Sequence, residues 1–207
     1  MKNSLFIVIE GIDGSGKSEI VKILHNYLFS KSKKYRILTT REPTSGAYGG
    51  RIRQILRDEK NPKSSSAKLM EMFIKDRREH LRKVINPFLE NPNKQEAHIA
   101  LCDRYYYSTI AFQGAQGLDI KYIISKNKNF RKPDAAFILD VEPSIALERI
   151  RLREKEKFEQ LLFMKKIREN FLKLPELLED NIKIIDSSKA LGRVFEDVKK
   201  EVDKLLD

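Results

Sequence analysis

The chain of 207 residues has one cysteine, no low-complexity tract, no internal repeat, and no apolar run near the ~20 residues a membrane-spanning helix needs. A lone Cys102 cannot close an internal disulfide; following Ile99, Ala100 and Leu101, it reads as a small hydrophobe in a buried strand. The apolar stretch from Leu5 to Ile9 runs straight into Glu10 and Gly11, without the long apolar region and small-residue cleavage site of a signal peptide, so a cytoplasmic protein with no membrane contact is expected. No linker is long enough to separate a pair of domains, and the expectation is one domain over residues 1–207.

What the chain has in surplus is positive charge. Lys and Arg number 41 against 30 Asp and Glu, a net charge of +11. That balance suits a polyanionic ligand and leaves nucleotide and nucleic acid both open. The basic residues interleave with acidic ones along helical patterns, which makes nucleic acid the less expected partner. His25, His80 and His98 have no evident chemical role and read as structural.

Apolar spacing lays out alternating elements. Short continuous apolar runs predict strands at Leu5 to Ile9, Arg36 to Thr40, Ile99 to Cys102, Ala135 to Val141 and Ile182 to Ile185. Helical spacing is found at Ser18 to Phe29, Arg51 to Arg57, Ser66 to Phe88 with Ser65 or Ser66 as cap, Tyr106 to Phe112, Ser144 to Arg153, Phe158 to Leu174 and Val194 to Leu206. Strands alternating with helices imply an α/β fold with a parallel sheet of about five strands flanked by helices.

Between the first strand and first helix lies Gly11-Ile12-Asp13-Gly14-Ser15-Gly16-Lys17-Ser18, which fits G-x-x-x-x-G-K-[ST] in the context that motif requires. Glycines let such a loop curl so that backbone N–H groups meet phosphate oxygens. Lys17 reaches the β- and γ-phosphates of a nucleoside triphosphate, and the Ser18 hydroxyl ligates Mg²⁺. All eight residues are candidate ATP-binding residues, and the architecture expected is the three-layer P-loop NTPase fold. Asp103 ends a neighbouring strand, where it is placed to join Ser18 in the metal shell, to cap the following helix, or to do both.

Further motifs address the acceptor. Asp103-Arg104-Tyr105, Ser108-Thr109 and Phe112-Gln113-Gly114 resemble the signature of the thymidylate kinase family, as do Thr40-Arg41-Glu42-Pro43, Ile52-Arg53, the Phe73 and Arg77 pair, Lys132-Pro133-Asp134 and Asp140-Val141-x-Pro143. The resemblance runs from Phe6 to Ser188. It implies transfer of the γ-phosphoryl group of ATP to dTMP with Mg²⁺, and a homodimer. Phe73 is then expected to stack on thymine, Arg77 to donate to the base edge, Thr109 and Gln113 to address the base, and Arg53 and Arg104 to hold the acceptor phosphate. Asp13, Glu42 and Pro43 are expected near the acceptor sugar and phosphate. Departures are local: Thr44-Ser45-Gly46-Ala47-Tyr48 replaces the Gly-Gly-Thr common in bacterial members, and Lys157-Phe158-Glu159 lacks the arginine of the family's lid motif.

The same resemblance implies a short arginine-rich lid at about 150–160. Because the phosphate loop carries Gly14 where some members have arginine, the transition-state cation is expected from Arg153, then Arg149. Lys17, Arg153, Arg149 and Asp13 are therefore the candidate catalytic residues. An acceptor phosphate is already ionised near neutral pH, so no general base is needed. A deoxynucleoside kinase, which typically carries Glu-Arg-Ser where this chain has Asp103-Arg104-Tyr105, and a P-loop ATPase acting on nucleic acid remain as alternatives.

Overall fold

The computed structural model describes residues 4–58, 65–90, 93, 95–150 and 154–206, and over 154–159 the backbone alone. Five strands form one sheet in the order β2-β3-β1-β4-β5, and all four neighbouring pairs run parallel. They are β1 (Ser4–Glu10), β2 (Tyr35–Arg41), β3 (Ala97–Asp103), β4 (Ala135–Asp140) and β5 (Ile182–Asp186).

The continuous apolar runs exist because both faces of the central strands are covered. On one face Phe6, Val8, Ala100, Cys102, Ala136 and Ile138 form a core with Tyr105, Tyr107, Ile167 and Phe171. These last come from α5 (Tyr106–Ala115), the residue before it, and α8 (Glu154–Leu177). On the other face Leu5, Ile7, Ile9, Ile99, Leu101 and Leu139 pack against Ile20, Leu24 and Leu28 of α1 (Lys17–Lys31) and Val194, Val198 and Val202 of α9 (Leu191–Leu206). Alternation along each strand thus feeds two cores, giving three layers.

Some elements differ from the sequence expectation. The helix expected from Arg51 begins earlier, as α2 (Ala47–Asp58). The helix expected over Ser66 to Phe88 is divided into α3 (Ser66–His80), a π turn at Leu81–Ile85 and α4 (Asn86–Leu89). Pro87 accounts for the division: its ring would clash with the carbonyl four residues back, and the ladder widens just before it, with Asn86 N–H bonded to Leu81 O. Ser65 is the residue before α3, but its side chain makes no capping hydrogen bond. A helix the apolar pattern does not reveal, α6 (Ile120–Asn127), is started by Asp119, whose carboxylate accepts from Tyr122 N at 2.6 Å. The helix expected over Ser144 to Arg153 is α7 (Pro143–Ile150), with 151–153 outside the described residues. No described helix is long and apolar enough to cross a membrane.

Candidate active site

The carboxyl ends of β1 and β3 lie side by side, with Ile9 opposite Asp103. The chain leaves β1 through Gly11, Gly14 and Gly16, all at positive φ. Gly14 has no alternative: at its φ of +81° a Cβ would stand 2.3 Å from the Ala146 carbonyl oxygen of α7. That contact supplies a physical reason why no arginine occupies the loop at this position.

Lys17, on the first turn of α1, donates to Ile12 O at 2.8 Å and is buried. Burial, with the Arg104 cation adding to it, brings its ammonium down to about 8. Ser18 Oγ donates to Asp103 Oδ2 at 2.9 Å, while Asp103 Oδ1 is buried with no hydrogen-bond partner among the described residues. Asp103 does not cap α5, which corrects one of its two sequence readings. Glu10 does that work: its Oε1 accepts from Tyr105 N at 2.6 Å and Ser108 N at 3.1 Å, and its Oε2 from Ser108 Oγ at 2.6 Å.

Beside the loop is a cavity of about 330 Å³ lined by residues from across the chain, among them Asp13, Glu42, Pro43, Phe73, Arg77, Arg104 and Gln113. Phe73 and Arg77 come from successive turns of α3, as their four-residue spacing predicts. Phe73 is half-buried and belongs to neither apolar core. Arg77 is only 1% exposed. Its Nε donates to Glu42 Oε2 at 2.9 Å, its Nη1 to Asn127 Oδ1 at 2.7 Å and its Nη2 to Thr109 Oγ1 at 3.1 Å. The guanidinium also lies over Tyr105 and Phe130, at 5.1 and 5.6 Å from the ring centres. Such a clamp fixes the orientation of a buried cation and compensates its desolvation.

Glu42 is held on both oxygens, by Arg77 and by His80, whose Nδ1 is 3.1 Å from Oε1. His80 Nε2 in turn lies 2.7 Å from Thr40 Oγ1. Glu42 therefore faces the cavity as the partner of Arg77, with neither oxygen left free. The chain then turns through the cis bond between Glu42 and Pro43. Beyond it, Asp76 takes hydrogen bonds from Thr44 N at 2.8 Å and Thr44 Oγ1 at 2.6 Å. This staple sets the loop in which the chain departs from the bacterial pattern.

Arg104 bridges the two halves of the site. Its Nη1 donates to Ser108 Oγ at 3.0 Å and Gly11 O at 3.3 Å, and its Nη2 pairs with Asp13. Its backbone is left-handed, φ +72°, a strained conformation that surrounding contacts must enforce; Arg104 N, bonded to Ile9 O at 3.0 Å, is one of them.

Other candidates lie further out. Arg53 on α2 donates to Pro43 O at 3.1 Å from the exterior and does not line the cavity. Arg149 donates to Gly14 O at 3.3 Å and Ser187 O at 3.1 Å, on the wall of a second cavity with Ser15, Gly16, Ser188 and Leu191. Arg153 and Arg151 fall outside the described residues, as do the side chains of Lys157, Phe158 and Glu159. Glu10, Asp76, His80 and Asn127 escape a sequence reading. The partners that tie them to the site sit 32 to 98 residues away, so no local spacing marks them; the one available cue is a charged residue closing an apolar stretch, as with Glu10 after Ile9.

A glycine loop of the pattern that cradles phosphates, with a hydroxyl and carboxylate beside it, opening onto a separate cavity walled by arginines and an aromatic ring, defines a P-loop nucleotide kinase. Residues 9–198 match the family model described as thymidylate kinase. A probable thymidylate kinase of Pyrococcus horikoshii is 36% identical over 200 residues, covering 93% of either chain. A thymidylate kinase of Desulfotalea psychrophila is 37% identical over 205 residues, covering 97% of this chain and 95% of that one. The crystal structure of thymidylate kinase from Ehrlichia chaffeensis superposes with a TM-score of 0.73 at 28% identity, over 97% of this chain and 99% of that one. The chain belongs to the thymidylate kinase family.

Proposed function

We propose that this chain transfers the γ-phosphoryl group of ATP to dTMP, yielding ADP and dTDP for dTTP synthesis, as a cytoplasmic homodimer whose residues 1–207 form one kinase domain. The observation that carries the acceptor assignment is the clamped Arg77 beside Phe73 in a cavity that abuts the phosphate loop through Asp13 and Arg104. A pyrimidine fits it: Phe73 offers a stacking face, Arg77 a donor for O4, and Gln113 an amide for the remaining edge.

In this reading the eight loop residues from Gly11 to Ser18 hold ATP, with Lys17 on the transferring phosphate. The unpartnered Asp103 Oδ1 beside Ser18 Oγ is an oxygen pair suited to Mg²⁺, which takes few protein ligands and completes its shell with phosphate and water. Bound there, the ion neutralises charge on the phosphates. Arg104 passes from Asp13 to the acceptor phosphate, and its planar fork suits a bidentate hold. Asp13 then stands near the sugar and phosphate of the acceptor, with Glu42 fixing Arg77, Pro43 shaping the cavity floor and Arg53 bracing Pro43. The lid at about 150–160 carries Arg153 onto the transferring group, and Arg149 backs the phosphate loop. In-line alignment and charge neutralisation do the catalytic work, since a phosphate acceptor needs no proton removed.

The test is a coupled ADP-release assay with ATP and Mg²⁺, offering dTMP, dUMP, dCMP, dGMP, dAMP and thymidine separately. Dominance of dTMP supports the reading; dominance of thymidine, or no turnover, overturns it. Light scattering of the purified protein tests the dimer.

A further inference from the structure

Gln113, in the last turn of α5, is buried beside the base-sized cavity, and its Oε1 has no hydrogen-bond partner among the described residues. A buried acceptor left alone costs about 1–3 kcal/mol, so its place in a folded protein calls for a donor that arrives with a ligand. Its Nε2 is engaged: it donates to Oε1 of Gln116 at 3.3 Å. Gln116 sits at the carboxyl end of α5, where its own N–H bonds to Phe112 O at 3.0 Å. It too lines the cavity and is almost fully buried.

A primary amide turned through half a circle exchanges its donor for its acceptor, so an unrestrained glutamine can present either to a ligand. We infer that Gln116 is the positioning residue that decides which one Gln113 presents. By accepting from Gln113 Nε2 it turns the Gln113 carbonyl toward the ligand, and the site takes a 4-keto pyrimidine monophosphate while disfavouring a 4-amino one. The chemistry is complementary at two atoms. A 4-keto pyrimidine carries a hydrogen on N3, the donor that Gln113 Oε1 lacks. A 4-amino pyrimidine has a bare N3, which would set acceptor against acceptor, and an exocyclic donor where Arg77 also donates. The inference rests on the proposed function and deepens it, because it concerns the same acceptor site.

The experiment compares wild type, Gln116→Leu and Gln116→Glu, measuring kcat and KM for dTMP, dUMP and dCMP under saturating ATP. Leucine removes the acceptor and frees the Gln113 amide to turn. Glutamate keeps an acceptor that can never donate when ionised, and so holds the amide as wild type does. For Gln116→Leu, the dTMP to dCMP ratio of kcat/KM is expected to fall about fivefold to tenfold, the worth of one neutral hydrogen bond, mainly through a higher KM for dTMP. The dTMP to dUMP ratio should stay within about twofold, because both bases carry the N3 hydrogen. Gln116→Glu should keep the wild-type dTMP to dCMP ratio. An unchanged ratio in Gln116→Leu, an equal loss in Gln116→Glu, or a parallel shift in the dTMP to dUMP ratio each overturns the inference. If wild type itself does not turn over dTMP, the failure lies with the proposed function instead.

Discussion

The two halves of the site are built by different means. The side proposed to hold the donor is one contiguous loop that offers mainly backbone groups, shaped by three glycines at positive φ. The acceptor side is an assembly of side chains from β2, α3, α5 and α6, tied together by buried charge. Glu42, Arg77 and His80 are each less than 5% exposed, and the network reaches Thr40, Thr109 and Asn127. A backbone cradle can be rebuilt by any chain with the right glycines. A side-chain network requires the whole tertiary structure, and in return the tertiary structure depends on it.

That contrast predicts that acceptor-side substitutions cost stability and donor-side ones cost rate. The largest effect is expected from Glu42→Ala, which leaves Arg77 charged and unpaired in the interior. A loss of about 3–5 kcal/mol is expected in chemical denaturation. Lys17→Ala should instead lower kcat by about 10² to 10³ with the denaturation midpoint unchanged or raised, since burial already disfavours the ammonium in the folded state. If Lys17→Ala unfolds the protein, the division between the halves is lost. Phe73→Ala sharpens the contrast within the acceptor side. Phe73 stands outside both cores, so the change should weaken dTMP binding by about 1–3 kcal/mol in calorimetry, as for other base stacking, with little loss of stability. Smallest is Thr44→Val, which removes one hydroxyl from Asp76 but keeps the backbone bond. About 1 kcal/mol of stability is expected to go, read from the same denaturation curves.

The same contrast explains what can be read without a structure. The placement of the phosphate-loop pattern between β1 and α1 is legible because it is local, with spacing and flanking elements both visible in the chain. Phe73 and Arg77 are legible as a helix-face pair, and the five strands as apolar runs. The clamp around Arg77 is not legible: nothing in the neighbourhood of Asn127 or His80 announces a partner 50 or 38 residues away. The sequence places Glu42 near the ligand, and only packing reveals that both its oxygens are taken. Gln113 reads as addressing the base, while nothing in the motif points to its partnership with Gln116, three residues on. The pattern of α6 is hidden because eight residues with Ile120, Ile123 and Ile124 give too short a run to stand out.

The central position of β1 bears on how the protein is made. Residues 4–9 of β1 pair with 98–103 of β3, and residues 7–10 pair with 135–138 of β4. The most deeply buried strand of the sheet therefore leaves the ribosome some 90 to 130 residues ahead of both its neighbours. At about 5–20 residues per second, it waits on the order of 5 to 25 seconds for them. During that interval Leu5, Phe6, Ile7, Val8 and Ile9 are an unpaired apolar segment with nothing from the sheet to shield it. Chaperones that hold nascent chains should recognise this stretch, and the phosphate loop that follows it can take its final shape only after β4 is in place.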